Sequence, residues 1–180
     1  MTGPLVRLEI RSVSSESWGD LQRLFGESEV LRGCWCMWPR TPYGEMAVGP
    51  QNESRLRALV SDRRQVGLLA YHGAQPVGWC SVGPVAEYTR FDAVGHEGDW
   101  LIACFAVASE ARGAGVAKAL LDAAVALARQ QGAHAIGGIP RGWKAENPAA
   151  LMGLKRAFER AGFGAATEPG SLAAYWLTLG

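Results

Sequence analysis

Apolar residues recur along the chain with two different spacings, which predict two kinds of element. Segments that alternate between apolar and polar residues, or that are continuously apolar over a few residues, predict strands, and apolar residues repeated every three to four positions predict helices. The predicted strands are 5–11, 65–71, 76–82, 100–107, 134–139 and 173–179, and the predicted helices are 15–25, 52–63, 116–132 and 147–162.

The order of these elements predicts the sheet. The polar gap 72–75 contains a glycine and joins two strands, which indicates an antiparallel hairpin. The strand 100–107 is apolar almost throughout, as expected of a central strand that is covered on both faces. A helix and then the strand 134–139 follow it, and this crossover makes the two strands parallel. We therefore expect an α/β (α+β) fold in which helices flank a mixed central sheet of about six to seven strands.

Composition and charge narrow the function classes. The 180 residues are 48% hydrophobic, and their formal net charge is +1, so nothing indicates binding to nucleic acid or to an acidic membrane surface. The first residues lack a secretory pattern, and no apolar run is long enough to span a bilayer. We expect one domain over residues 1–180, a cytoplasmic location and free thiols at its four cysteines.

A glycine-rich turn between a strand and a helix is the clearest chemical motif. Val107 ends an apolar strand, Arg112-Gly113-Ala114-Gly115 forms a tight turn, and Val116 begins an amphipathic helix. Small residues at a helix start leave backbone N–H groups unpaired and let a ligand approach them, which favours a phosphate group. The motif therefore predicts an anion site at this turn.

A second motif, Phe158-Glu159-Arg160-Ala161-Gly162-Phe163, follows near the end of the chain. Together with the turn and the order of elements, it resembles the GCN5-related N-acetyltransferases (GNAT), and a bacterial subgroup of them carries a similar Cys-Trp-Cys segment. The resemblance implies a GNAT-like acyl-CoA N-acyltransferase domain over residues 1–180. It also implies acetyl-CoA as the cosubstrate and requires no metal.

The resemblance assigns a set of positions to coenzyme A. The end of the central strand is expected to hold the pantetheine arm through backbone groups, and the turn is expected to hold the pyrophosphate. A backbone N–H in that strand can also stabilise charge on the thioester oxygen. Asn147 is either a further pantetheine contact or a helix N-cap. The expected contacts are Phe105, Ala106, Val107, Arg112, Gly113, Ala114, Gly115, Val116, Ala117, Lys118 and Asn147.

Transfer to an amine requires the neutral amine, and an amine with a pKa near 10.4 needs about 4 to 5 kcal/mol to reach that form at pH 7. We predict Asp99 as the base, because a carboxylate near the start of this strand is a common base position in the family. Counting back by twos from Val107 also puts Phe105, Ala103, Leu101 and Asp99 on one face of the strand. A solvated charge at the strand entry is the other interpretation. Glu97, His96 and Glu146 are competing bases.

Two positions depart from the family pattern. Leu151 stands where many relatives carry an asparagine, and Phe158 stands where they carry a tyrosine that protonates the leaving thiolate. Tyr175 is our predicted replacement for that acid, and Tyr43 is the other tyrosine that could serve. Cys104, one residue before Phe105 in the same strand, could form an acetyl-enzyme. A small buried side chain is the favoured interpretation, because a nucleophilic thiol needs a low pKa and no basic residue is adjacent.

The segment 33–40 is rich in aromatic and sulfur-containing residues, and the resemblance places it on the acceptor side. Cys34, Trp35 and Trp38, with Tyr43 after them, form either core packing or an aromatic acceptor pocket. The spacing of its two cysteines is a poor zinc pattern.

We predict an acetyl-CoA-dependent N-acetyltransferase that acts on the primary amine of a small molecule in a ternary complex, and a homodimer is possible. The alternatives are a protein (N-terminal or lysine) acetyltransferase and a non-catalytic acyl-CoA-binding regulatory module.

Overall fold

A mixed sheet lies at the centre of the computed structural model, which describes residues 7–45, 49–91, 95–139, 155–165 and 175–180. Its seven strands within these residues have the order β1-β2-β3-β4-β5-β7-β6, and only β4 and β5 are parallel. The prediction of about six to seven strands flanked by helices is confirmed. The strands are β1 (Leu8–Ser12), β2 (Leu68–His72), β3 (Gln75–Pro84), β4 (Trp100–Val107), β5 (Ala135–Gly138), β6 (Gly164–Ala165) and β7 (Tyr175–Thr178).

Helices cover both faces of the sheet. The helices are α1 (Trp18–Gly26), α2 (Glu29–Cys34), α3 (Gln51–Ser61), α4 (Val116–Gln130) and α5, of which residues 155–160 are described. Short 3-10 turns lie at Trp38–Arg40, Val85–Glu87, Thr89–Phe91 and Ser109–Ala111. The predicted hairpin and the β4-α4-β5 crossover are confirmed. The sequence pattern missed α2 and β6, because six and two residues are too short to show a period.

Two apolar layers form the core, one on each face of the sheet. One layer joins α4 and Phe158 to the sheet through fully buried residues such as Leu120 and Ile136. The other joins α1 and α3 to the sheet through Phe25, Leu56 and their neighbours. A third, smaller cluster lies beside the start of β4. Side chains of β4 belong to all three apolar clusters, so this strand connects them.

A β-bulge in β4 changes which residues share a face. Ile102 pairs with Val82 of β3 and Cys104 pairs with Ser81, so Ala103 is an extra residue in β4. Before the bulge the even-numbered residues of β4 face α4, and after it the odd-numbered residues do. Counting by twos predicts Asp99, Leu101, Ala103 and Phe105 on one face, and this prediction is wrong. Leu101 and Ala103 pack in the third cluster, whereas Phe105 packs against the α4 layer.

Candidate active site

β4 has an open edge beyond its middle. Its pairing with β5 ends at Ile102 and Gly138, and one further bond runs from the Ile139 N–H to the Ile102 carbonyl at 3.1 Å. Residues 104–107 pair with β3 alone among the described residues, and Ala103 is the unpaired residue of the bulge. The two parallel strands therefore part here and leave one side of β4 available to a ligand.

The hydrogen-bond pattern shows which backbone groups face this opening. The Ala108 N–H donates to the Val77 carbonyl at 3.0 Å, so this pair is hydrogen-bonded across the β3–β4 ladder. Because such pairs alternate in an antiparallel ladder, Ala106 is also bonded to β3, whereas Phe105 and Val107 direct their N–H and carbonyl groups away from it. Of the three expected pantetheine contacts, Phe105 and Val107 thus direct their N–H groups to the open side, and Ala106 does not. The Phe105 carbonyl accepts from the Cys104 thiol at 3.9 Å, and the Val107 carbonyl accepts from Arg112.

The glycine turn continues this edge directly into α4. Gly113 and Gly115 adopt φ of +77° and +83°, a left-handed conformation that suits glycine, and a Cβ at either position would meet no atom within 4 Å. The first hydrogen bond of α4 runs from the Ala119 N–H to the Gly115 carbonyl at 3.0 Å. No described residue accepts a hydrogen bond from the amides of residues 116–118. The turn therefore leaves these amides without a described acceptor, and it directs the positive end of a helix dipole toward solvent beside the exposed Gly113, Gly115 and Lys118.

Two cations border these amides. Arg112 is exposed, and its Nε donates to the Val107 carbonyl at 3.4 Å, which fixes the side chain beside the end of β4. Lys118 is exposed in the first turn of α4 and forms an ion pair with Asp122 one turn later. Among the described residues, the only carboxylate bonded to either cation is that of Asp122. The site thus combines free amides with positive charge, which are the features that bind a phosphate.

Aromatic rings hold β5 where it leaves β4. Phe158 is fully buried, and its ring lies 4.9 Å from that of Phe163 and 6.1 Å from that of Phe105. A Cβ on Gly138 would lie 2.1 Å from the Phe158 ring, so this ring packs directly on the β5 backbone. Tyr175 pairs with Gly138, is 8% exposed, and has its ring 6.4 Å from that of Phe158. Tyr175 therefore lies at the level where β4 and β5 part.

Asp99 lies at the other end of β4. Its carboxylate accepts a hydrogen bond from the His96 N–H at 2.8 Å, and only 6% of the residue is exposed. Phe105 lies six positions further along the chain, which corresponds to roughly 20 Å along a strand. Asp99 thus closes the turn that precedes β4, and any proton transfer between it and an amine at Phe105 requires a relay.

The predicted acceptor segment forms a turn against the sheet. Trp35 is 5% exposed and stacks on Trp18 with ring centroids 5.5 Å apart, so its ring is part of the core. Cys34 and Trp38 are half-buried, and Tyr43 is 89% exposed. The Arg90 guanidinium lies over the rings of both Trp38 and Tyr43, at 4.8 Å and 5.7 Å from their centroids. The structure therefore separates Trp35 from the three more accessible residues.

The family model for the acetyltransferase (GNAT) family matches residues 28–163. This match covers most of the chain, including the strand, the turn and both sequence motifs. The chain belongs to the GNAT acetyltransferase family. A search of curated proteins finds no match.

Solved GNAT structures share the fold across nearly the whole chain. An acetyltransferase from Thermus thermophilus is 19% identical, with 97% of each chain covered and a TM-score of 0.60. A ribosomal-protein-alanine N-acetyltransferase from Brucella melitensis is 22% identical, with 95% of this chain and 99% of that chain covered and a TM-score of 0.58. A GNAT acetyltransferase from the same organism, in complex with acetyl-CoA, is 14% identical, with 97% and 89% covered and a TM-score of 0.55.

Several predicted residues of this GNAT chain lie outside the described residues, namely Asn147, Glu146 and Leu151. In the described ranges, no three His, Cys, Asp or Glu side chains group in a way that could hold a metal ion. No helix there is both long and apolar enough to cross a membrane. All four cysteines are free, as predicted.

The sequence could not show that Phe158 is a core residue. Its spacing marks it only as apolar on the inner face of a helix, whereas its contact with the backbone of Gly138 depends on how α5 docks on β5. The bulge at Ala103 is equally invisible, because neither glycine nor proline marks it. A break in the apolar pattern of β4 could have revealed the bulge, but this strand is apolar on both faces.

Proposed function

We propose that this GNAT chain transfers the acetyl group of acetyl-CoA to the primary amine of a small molecule, by direct attack while both substrates are bound. One observation carries the proposal. The outward N–H groups of Phe105 and Val107 lie on the strand that the glycine turn connects to the unpaired amides at the start of α4. An extended amide chain that ends in a pyrophosphate matches this sequence of groups. Solved GNAT structures bound to acetyl-CoA and to coenzyme A support this choice of cosubstrate.

Each part of the site has a separate task in this proposal. Acetyl-CoA supplies the acetyl group, which it carries as an activated thioester. The outward groups of Phe105 and Val107 bind the pantetheine arm as an added strand would, and the Phe105 N–H is placed to stabilise negative charge on the thioester oxygen. The amides of residues 116–118, with Arg112 and Lys118 beside them, neutralise the pyrophosphate.

Proton transfer involves Asp99 and Tyr175 in this proposal. Tyr175 is the nearer of the two, because it lies across β5 from the point where β4 opens. Its hydroxyl serves as the acid for the leaving thiolate, in place of the hydroxyl that Phe158 lacks. Asp99 withdraws the amine proton through a relay, given its place in the turn before β4. Asp99→Asn tests the charge itself, because asparagine keeps an oxygen that accepts the His96 N–H.

Binding of coenzyme A is tested by a matched pair of glycine variants at the two ends of α4. Gly115→Glu places a carboxylate and side-chain bulk at the free amides. Gly132→Glu makes the same substitution at an exposed glycine with φ of +75° and open space beyond the other end of the helix. Both variants carry similar backbone strain, about 1 to 2 kcal/mol. Calorimetry should show a loss of coenzyme A affinity of at least about tenfold in Gly115→Glu alone. Equal affinities in the two variants would refute the site.

Turnover separates the proposed reaction from its alternatives. Release of free thiol from acetyl-CoA is measured with a panel of small amines and, in parallel, with peptides that carry a free N-terminus or lysine. We expect turnover on small amines, weaker turnover in Tyr175→Phe and a loss in Asp99→Asn that is greatest at low pH. Turnover on peptides alone would favour a protein acetyltransferase. Tight binding of coenzyme A without turnover on either panel would favour a non-catalytic module, for which the missing hydroxyl at Phe158 is the motivating feature.

A further inference from the structure

Cys36 and Cys104 meet on one face of the sheet, although they are far apart in the sequence. Trp79 of β3 is paired with Ala106 of β4, and Cys104 lies two residues before Ala106, so its side chain projects from the same face. The Trp79 Nε1 donates a hydrogen bond to the Cys36 sulfur at 3.2 Å. Cys36 therefore lies over Trp79, whose diagonal neighbour on β4 is Cys104, and both cysteines pack in the core layer that joins α1 and α3 to the sheet.

The turn that carries Cys36 is held in a strained conformation. Trp35 and Cys36 have φ of +48° and +47°, the left-handed region that side chains other than glycine rarely adopt. Such residues cost of order 1 to 3 kcal/mol each, so other contacts must hold them. Trp35 stacks on Trp18 and packs at 5.1 Å against Phe25, while Cys36 is bonded to Trp79. These contacts fix the Cys36 sulfur against Trp79 of β3, beside the face of β4 that carries Cys104.

The thiols of Cys36 and Cys104 differ in pKa and in exposure, as the two members of a reactive thiol pair do. The hydrogen bond from Cys36 lowers the pKa of the Cys104 thiol, and this side chain is half-buried. The same hydrogen bond, together with burial, raises the pKa of Cys36, which is 2% exposed. Burial also raises the pKa values of Cys34 and Cys80. Cys104 is thus the thiol of the pair that ionises and meets an oxidant more readily, and Cys36 is its protected neighbour.

We propose that Cys36 and Cys104 form a peroxide-sensitive thiol pair that closes to a disulfide. The Cys104 thiolate attacks one oxygen of hydrogen peroxide and becomes a sulfenic acid, while the other oxygen takes a proton and leaves as water. The Cys36 sulfur then attacks the sulfenic sulfur, which loses its oxygen as a second water. Two thiols are oxidised and one peroxide is reduced. Cys80 is excluded from the pair, because it pairs with Phe105 and belongs to the α4 layer on the opposite face.

Closing this disulfide also affects the proposed reaction, and this consequence rests on the proposed function. Cys104 immediately precedes Phe105, whose N–H faces the opening of β4. A bond between the sulfur atoms ties the turn at 35–36 to β4 at that point and shifts the strand that holds the cosubstrate. We therefore expect turnover to fall in proportion to the disulfide formed and to recover with dithiothreitol.

The disulfide is tested on the intact protein with hydrogen peroxide, followed by alkylation of the remaining thiols and mass mapping. We expect a loss of two hydrogen atoms and a peptide that links Cys36 to Cys104. Cys104→Ser should abolish the loss, Cys36→Ser should leave a sulfenic acid at position 104 that dimedone traps, and Cys34→Ser should retain the link. A Cys34–Cys36 link, or no link in the wild type, would overturn the proposal. Mapping does not depend on activity, so a mapped disulfide without any turnover contradicts only the proposed function.

Discussion

Adding one methyl group at Gly78 should disturb the site without touching any ligand. Gly78 lies in β3 opposite Val107, beneath the start of α4. A Cβ there would lie 2.5 Å from Val116 Cγ1 and 3.1 Å from Leu120 Cδ1. Ordinary carbon contacts are about 3.5 to 4.0 Å, so Val116 must move by about 1 Å. Because Val116 is the first residue of α4, this movement displaces the free amides of the turn.

The expected cost follows from the packing. Overpacking a close contact costs about 1 to 3 kcal/mol, and about 2 kcal/mol corresponds to a fall in Tm of about 4 to 8 °C for a chain of this size. Val116→Ala alone removes two methyl groups from a side chain that is 1% exposed, which costs about 2 to 3 kcal/mol. The double variant removes the atom that the new Cβ would meet. The two costs should therefore fall short of additive by about 1 to 2 kcal/mol.

Urea unfolding of the wild type, both single variants and the double variant measures this coupling. Gly19→Ala is the control, because a Cβ at that helical position meets nothing within 4 Å. Its stability should stay unchanged or rise by up to about 1 kcal/mol. Costs of Gly78→Ala and Val116→Ala that add to within about 0.5 kcal/mol would refute the proposed contact. If the proposed function holds, Gly78→Ala should also weaken coenzyme A binding, and the double variant should recover part of it.

Two further predictions concern charge and buried polar groups. The Tyr88 hydroxyl accepts from Arg40 at 3.2 Å and lies 3.1 Å from the Ser81 hydroxyl, and burial raises the pKa of Tyr88 to about 12. Tyr88→Phe should lower the free energy of unfolding by about 1 to 3 kcal/mol at pH 7. This deficit should shrink between about pH 10 and 12, because Tyr88 ionises first in the unfolded wild type, which then loses a stabilisation that the variant never had. Tyr71, whose pKa is also raised to about 12, contributes the same loss to both proteins. A deficit that stays constant in urea titrations across this range would contradict the shift. Asp122→Asn removes the ion-pair partner of Lys118 and should raise coenzyme A affinity by roughly twofold at low salt. This gain should be lost at high salt, where the charges are screened. A fall in affinity, measured by calorimetry, would place Lys118 outside the site.

The spacing of apolar and polar residues in the sequence was sufficient to predict the elements in which this spacing is regular. The apolar positions of α4 and the polar gap at 72–75 each depend on local chemistry, and both elements lie where they were predicted. The glycine turn was also predictable, because its two glycines both need positive φ. These features are encoded within a few neighbouring residues.

Features that depend on docking between distant segments could not be predicted in this way. From the sequence, Trp35 could belong either to a ligand pocket or to the core. Its stack on Trp18 places it in the core, and this contact forms only when α1 packs against the turn after α2. The contact between Cys36 and Cys104 likewise requires β3 and β4 to bring Trp79 beneath the turn. Asp99 could be assigned to the start of β4, but its bond to the His96 N–H is a property of the folded turn.

The opening of β4 has a local cause that connects the fold to the proposed chemistry. The bulge at Ala103 immediately follows Ile102, the last residue of β4 that pairs with β5. A bulge bends its strand and increases its twist, so β4 turns away from β5 at this residue. On the other side, Phe158 packs on Gly138 and Trp176 packs on Gly137, which holds β5 against the rest of the sheet. Because β4 bends while β5 is fixed, the N–H groups of Phe105 and Val107 have no strand partner among the described residues, and we expect an extended ligand to pair with them.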